Sequence, residues 1–192
     1  MHGIGNDYVY VNCLEETVGN PASLARMVSD RHFGIGSDGL ILIRPSTKAD
    51  AFMEMFNADG TRSEMCGNGI RCLGKYLWDY GVVRKNPMMV ETLAGVLSLA
   101  LELDAAGMAR AVTVDMGAPR LDPAQIPVSA PENAVEIALD GVRTRFFCVS
   151  MGNPHAVTYD LYPERDVFRR LGAMMERHPM FPRRANVEFC RA

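Results

Sequence analysis

The chain has 192 residues, of which 48% are hydrophobic and 22% charged, enough apolar surface for one large core or two small ones. That balance excludes an intrinsically disordered chain. The formal net charge of −3 and the absence of any basic stretch argue against a nucleic-acid partner, since Arg169-Arg170 and Arg183-Arg184 are short pairs that read as solvated surface.

Tyr8 to Cys13 reads as a strand, because β-branched and aromatic residues follow one another. Asn20-Pro21 reads as a helix start, with a capping side chain and then proline at the first helical position, and the helix runs to about Asp30. Arg31 to Gly39 is a glycine-rich loop. Leu40–Ile43 and Ala51–Phe56 are short strands, and Asn57-Ala58-Asp59-Gly60 has the chemistry of a turn. Glu64-Met65-Cys66-Gly67-Asn68-Gly69 opens a second helix, with Ile70, Leu73, Leu77 and Tyr80 on one apolar face and Gly81 ending it. Strands are expected near 88–92, 95–102 and 110–115. The proline-bearing stretch from Gly117 to Pro127 marks a domain junction, giving domains of 1–116 and 117–192. Strands return near 134–139 and 143–149. A third helix is expected from Pro163 to Arg177 with Val167, Leu171, Met174 and Met175 inward, and Asn186–Cys190 is a last strand.

Many strands with few isolated helices predict an α+β fold with mainly antiparallel sheets. A weak internal echo runs through it. Gly5-Asn6 and Gly152-Asn153 each precede a strand, and a helix follows each. Cys66 lies sixty residues after Asn6, and the matching position after Asn153 would be 213.

No apolar run approaches the ~20 residues of a membrane span, and Met1-His2-Gly3-Ile4-Gly5 has no signal-peptide character. The five cysteines, Cys13, Cys66, Cys72, Cys148 and Cys190, are odd in number and widely spread, as expected of free thiols in the cytoplasm.

The chemistry concentrates at Cys66-Gly67-Asn68-Gly69. Thiolate is the reactive form of cysteine, and a helix amino terminus favours it through its dipole and its free N–H groups. Two glycines let a carboxylate approach the backbone beside the thiol. The alternative is a glycine turn with a buried cysteine. Cys72 is about 240° further around the same helix and reads as core, as do Cys13 and Cys148. Asn6, Asn57, Asn68, Asn153 and Asn186 stand in loop-like settings, where an amide satisfies both ends of a zwitterion without adding charge. Each is also an ordinary turn residue. His32 and His155 are candidate bases with equally ordinary structural uses. No metal-ligand spacing, phosphate loop or cofactor-anchoring lysine is present in the motifs.

Together these motifs resemble the diaminopimelate epimerase family. The carriers are Met1–Tyr8, Arg31–Gly39, Phe56–Gly60 followed by Glu64–Cys72, Ser150–His155 and Asn186–Phe189, which span nearly the whole chain. The resemblance implies two pseudo-symmetric domains, each a curved, barrel-like, mainly antiparallel sheet around a central helix, with substrate in the cleft between them. It implies interconversion of LL- and meso-diaminopimelate for lysine and cell-wall synthesis, without pyridoxal phosphate or metal, by two cysteines on opposite faces of one carbon. The implied catalytic residue is Cys66, and the implied substrate-binding residues are Asn6, Asn57, Gly67, Asn68, Asn153 and Asn186. At Gly39 some members of the family carry a glutamine that touches substrate. The implied partner is a small amino acid, with no nucleic acid or membrane, in a protein compatible with a homodimer. The family's Cys-Gly-Thr-Gly motif, holding the second thiol, does not occur in these residues, nor does the short strand before Met-His-Gly. The second domain is therefore expected to be incomplete and the 192 residues inactive alone. Proline and hydroxyproline racemases are the alternative in the same class, although they usually place histidine where this chain has Asn68. A non-catalytic binding protein is the alternative in another class.

Overall fold

The computed structural model describes residues 1–191, which divide into two compact units, the first Met1–Met116 and the second from Gly117 onward. The first unit is built on one curved sheet. Its strands are β1 (His2–Gly3), β2 (Asn6–Asn12), β3 (Gly39–Arg44), β4 (Ala51–Asn57), β5 (Arg62–Ser63), β6 (Met88–Thr92), β7 (Gly95–Leu103) and β8 (Ala109–Asp115). They lie in the order β1-β2-β3-β4-β6-β7-β8, with β5 paired to β4. Most neighbours are antiparallel, but β2 with β3 and β4 with β6 are parallel.

Two helices cover this sheet. Helix α1 (Pro21–Ser29) starts where the Asn20 side chain accepts from the Ser23 N–H at 3.1 Å, with proline in the first turn, where no donor is lost. Helix α2 (Gly67–Asp79) follows Cys66 and ends at Gly81, whose φ of 72° suits glycine. Strand β3 explains its own uninterrupted apolar sequence. Leu40 and Leu42 join Ala25 and Phe56 in a cluster that includes the α1 side, while Ile41 and Ile43 pack with Ile70, Leu73 and Leu77 of α2. A strand buried on both faces has no place for polar residues. At Gly74, where α2 packs on the sheet, an added Cβ would lie 2.8 Å from a terminal methyl of Leu99. The expected inward position of Tyr80 is corrected. Tyr80 is the last cap of α2, is exposed and stacks on Tyr76 with ring centroids 4.5 Å apart. The helical stripe ends one turn earlier, at Leu77.

The second unit has a four-stranded sheet of β9 (Ala134–Leu139), β10 (Val142–Ser150), β11 (Pro154–Thr158) and β12 (Asn186–Phe189), in the order β12-β11-β10-β9. Only β11 with β12 is parallel. Burial alternates strictly along β9, so this sheet has one covered face. Helix α3 (Arg165–Glu176) lies against it. Leu171 and Met175 are buried as expected, but Val167 and Met174 are exposed. The correction has a simple cause: α3 touches its sheet along one narrow i, i+4 line, extended by Phe168 meeting Phe189 edge-on at 5.4 Å. No helix among the described residues is long and apolar enough to cross a membrane.

The echo in the sequence reappears in the fold. Each Gly-Asn pair opens a strand–helix–strand crossover whose two strands are parallel neighbours. Each glycine before the asparagine is left-handed, with φ of 84° at Gly5 and 106° at Gly152. Two residues after the asparagine, Tyr8 pairs with Gly39 and His155 pairs with Asn186, each partner lying thirty-three residues beyond its asparagine. Gly39 and Asn186 are thus equivalent positions.

Candidate active site

Cys66 is the residue that caps α2. Its backbone is extended, at φ −139° and ψ 115°, which points the side chain back over the first turn. There the sulfur accepts from the Gly69 N–H at 3.4 Å and donates to Asn6 Oδ1 at 3.2 Å. The thiol is half-buried, and the first turn of α2 carries no acidic side chain to oppose an anion. The two flanking glycines have different surroundings. An added Cβ at Gly69 would lie 2.6 Å from the terminal methyl of Ile41, which would have to turn aside to make room. At Gly67 an added Cβ would meet nothing within 4 Å. Open space beside a helix amino terminus is what a small carboxylate requires.

The surroundings of the thiol come from β2 and from the loop before β3. Asn6 Nδ2 donates to Asp38 Oδ2 at 2.7 Å, and the Asp7 N–H reaches the same oxygen at 3.1 Å. Arg31 bridges Asp7 and Asp38 at 2.8 and 3.0 Å. The Arg31 hydrogen bond holds the Asp7 carboxyl below its ordinary value. Asn68 donates to Asn6 Oδ1 at 3.5 Å and accepts from Arg71 at 2.6 Å. Tyr10 donates to the Gly69 carbonyl at 3.0 Å and so ties β2 to the start of α2. Burial pushes the phenol of Tyr8 up, and the nearby Cys66 adds to the effect. Cys66, Gly67, Asn68 and Asn6 thus form one cluster.

Asn57 ends β4 opposite Gly39 in the strand register, with its amide donating to Thr61 Oγ1 at 3.0 Å. At Gly39 a Cβ would collide with the Phe56 carbonyl oxygen and lie 2.8 Å from the Tyr8 ring, so no larger residue fits this backbone. Asn153 and Asn186 belong to the second unit. Asn153 Oδ1 lies 3.0 Å from His155 Nε2, whose other ring nitrogen is 2.8 Å from Glu188, and Asn186 donates to the Pro154 carbonyl at 3.1 Å. His32 is exposed beside Phe33. Cys72 and Cys148 are core residues, and burial pushes the Cys148 thiol up to about 11. Cys13 is half-buried just beyond β2, and burial raises its thiol too.

The residues that sequence reasoning missed are Asp38, Arg31, Arg71 and Tyr8. Asp38 and Arg31 lie in the glycine-rich loop, but their partners on β2, Asn6 and Asp7, are 24 to 32 positions away. Local pattern carries no signal for such pairings. Arg71 had one available clue, its i, i+3 spacing from Asn68 on a helix.

A family model described as diaminopimelate epimerase matches residues 1–121. A diaminopimelate epimerase of Acetivibrio thermocellus is 54% identical over 98% of this chain and 68% of its own length. One from Desulfovibrio desulfuricans is 50% identical over 98% of this chain and 69% of its own. Among solved structures, a probable proline racemase from Agrobacterium radiobacter superposes with a TM-score of 0.59 at 16% identity, covering 85% of this chain and 54% of that one. A Bacillus anthracis phenazine biosynthesis protein of the PhzF family gives 0.54 at 18% identity, covering 91% and 60%. At such identities these two show a shared fold alone, whereas the sequence matches are specific: the chain belongs to the diaminopimelate epimerase family, whose members are isomerases.

Proposed function

We propose that Cys66 is one of two proton-transferring groups of an epimerase that interconverts LL- and meso-diaminopimelate without a cofactor, and that residues 1–116 and 117–192 each belong to one epimerase domain. The observation that carries this reading is the half-buried thiol at the start of α2, beside the open backbone of Gly67 and bonded to Asn6. Asn6, Asn57, Gly67, Asn68, Asn153 and Asn186 are the proposed substrate contacts. The substrate class comes from the relatives' names, and the amides suit a zwitterion that must be held without added charge.

In the proposed step the Cys66 thiolate takes the α-proton. An S–H bond forms, the C–H bond breaks, and the electron pair passes into the substrate's α-carboxylate. That carboxylate gains most from donors already aimed at it, which the N–H groups of the first α2 turn supply. Returning the proton from the same thiol restores the starting configuration. Inversion needs a proton from the opposite face. None of the other four cysteines among the described residues begins a glycine turn, so the second acid is proposed to come from outside residues 1–192.

Exchange of the α-hydrogen in deuterated water tests the reading. A chain extended through a Cys-Gly-Thr-Gly segment should invert diaminopimelate, residues 1–192 alone should not, and Cys66→Ala should abolish turnover in the extended chain. Inversion by residues 1–192 at a rate close to that of the extended chain would falsify the two-group scheme. An aziridine shaped like the substrate should alkylate Cys66 ahead of the other cysteines. Faster labelling of Cys72 or Cys13 would refute its role.

A further inference from the structure

An asparagine beside a thiol can act in two opposite ways. Its oxygen accepts from S–H and disfavours the thiolate, whereas its nitrogen donates to the thiolate and stabilises it. Which end faces Cys66 is decided by a residue that does not touch the sulfur in any hydrogen bond of the cluster. An ionised carboxylate only accepts, so the bond of 2.7 Å between Asn6 and Asp38 Oδ2 requires Asn6 Nδ2 to point at Asp38. Asn6 Oδ1 is then left facing Cys66 Sγ at 3.2 Å and Asn68 Nδ2 at 3.5 Å. Asn68 is oriented in a consistent sense by Arg71, which only donates and holds Asn68 Oδ1 at 2.6 Å.

Asp38 is itself fixed on both oxygens. Oδ2 also receives the Asp7 N–H at 3.1 Å, and Oδ1 receives Arg31 Nη2 at 3.0 Å. Arg31 reaches Asp7 with both terminal nitrogens, at 2.8 and 3.2 Å. A planar guanidinium bonded to both carboxylates fixes the direction in which Asp38 presents its oxygens to the amide beyond it. The other groups near the sulfur do not set its polarity. The phenols of Tyr8 and Tyr10 are pushed up by burial and stay uncharged, and the Gly69 N–H is a fixed backbone donor.

We propose that Asp38 is a positioning residue that locks the Asn6 amide with its oxygen toward Cys66, so that the balance between thiol and thiolate is set by a carboxylate one hydrogen bond removed. The proposal rests on the reading of Cys66 as the reactive thiol. It adds a control element to the proton transfer: the amide favours the protonated sulfur, the form that must give a proton back.

Labelling of Cys66 by iodoacetamide in residues 1–192, followed by peptide mapping across a pH series, tests it without any need for turnover. In Asp38→Asn the side chain at 38 can still accept from Arg31, but it no longer dictates the Asn6 orientation. The Asn6 nitrogen can then turn to the sulfur against only the 3.5 Å contact from Asn68 Nδ2, and the labelling midpoint should fall by about one pH unit, the size of one hydrogen bond to a charged group. Asp7→Asn removes an equal charge from the same arginine without touching Asn6 and should leave the midpoint where it was. No shift in Asp38→Asn, or equal shifts in both variants, would overturn the proposal, the second because charge alone would explain it. Should Asp38→Asn lose its circular-dichroism signature of folding, the unsubstituted chain still decides the matter. Its Asn6 side-chain amide protons should exchange more slowly by NMR than those of exposed asparagines, and exchange at the exposed rate would refute the lock. If Asp38→Asn shifts the midpoint while Cys66 proves dispensable for epimerisation, the functional reading fails and the positioning role stands.

Discussion

The two crossovers, β2–α1–β3 and β11–α3–β12, share a backbone plan but treat the same position in opposite ways. At one, Gly39 is buried and admits no side chain; at the other, Asn186 is exposed and bonded to the Pro154 carbonyl. The reason lies in what stands beside each strand. Strand β3 is internal, with β4 paired to it and Asn57 directly opposite Gly39, whereas β12 is the edge of its sheet. A shared scaffold therefore offers a polar group only where the next strand leaves room. In the first unit the asparagine opposite this position comes instead from β4, as Asn57.

The same contrast extends to the helices, and it can be broken by substitution. Helix α2 buries Ile70, Leu73 and Leu77 completely, while α3 rests on one line of contact. Leu73→Ala should lower unfolding stability by about 2–5 kcal/mol, since it opens a cavity between α2 and the sheet. Met174→Ala on the exposed side of α3 should stay within about 0.5 kcal/mol. Urea unfolding of both variants measures the difference, and similar losses would show that α3 is as enclosed as α2.

Gly39→Ala comes next in size. The added methyl has the Phe56 carbonyl oxygen in its way, and a loss of about 1–3 kcal/mol is expected from overpacking. Asn186→Ala, at the equivalent but open position, should cost less than 1 kcal/mol by the same measurement, about one hydrogen bond or less. Equal costs would refute the explanation by neighbouring strands.

The smallest effect concerns acid. Asp79 is largely enclosed, and burial alone would raise its carboxyl. The Lys75 ammonium at 2.6 Å and the Ala109 N–H at 2.8 Å outweigh burial and hold it below its ordinary value. A carboxyl lowered in the folded state stabilises the fold above its unfolded pKa, and that contribution disappears as pH falls through the lower folded value. Acidification below about pH 4 should therefore weaken the first unit, and Asp79→Asn should flatten that dependence. A pH series of urea midpoints that is equally steep in the variant would assign the acid sensitivity elsewhere.

What was legible in the sequence was local. Asn20-Pro21 announces α1 because capping and proline act within one turn, and Cys66-Gly67-Asn68-Gly69 announces α2 for the same reason. The apolar run of β3 announced a strand, but not that two helices would share it. Strands β1 and β5 have two residues each, too short for any alternation to register. Tyr80, Val167 and Met174 fit the helical period yet face solvent, because the period identifies a stripe and not how wide a neighbour covers it. Of the site, Asn6, Gly67 and Asn68 were placed around Cys66 by motif. The carboxylate and guanidinium that orient the amides were not, since Asp38 meets Asn6 only after the whole β2–α1–β3 crossover has folded.

The cap at Cys66 sets two kinds of selection against each other. Serine, threonine, aspartate and asparagine are the residues that best close a helix amino terminus, and sulfur reaches the Gly69 N–H only at 3.4 Å. Selection for a more robust α2 would favour an oxygen at position 66, while selection for the proposed proton transfer would retain the weaker cap. A lineage that no longer used the reaction would have every reason to drift to serine here and would lose nothing in folding by it. On the proposed reading, cysteine stands at this helix start for its proton chemistry and not for its strength as a cap.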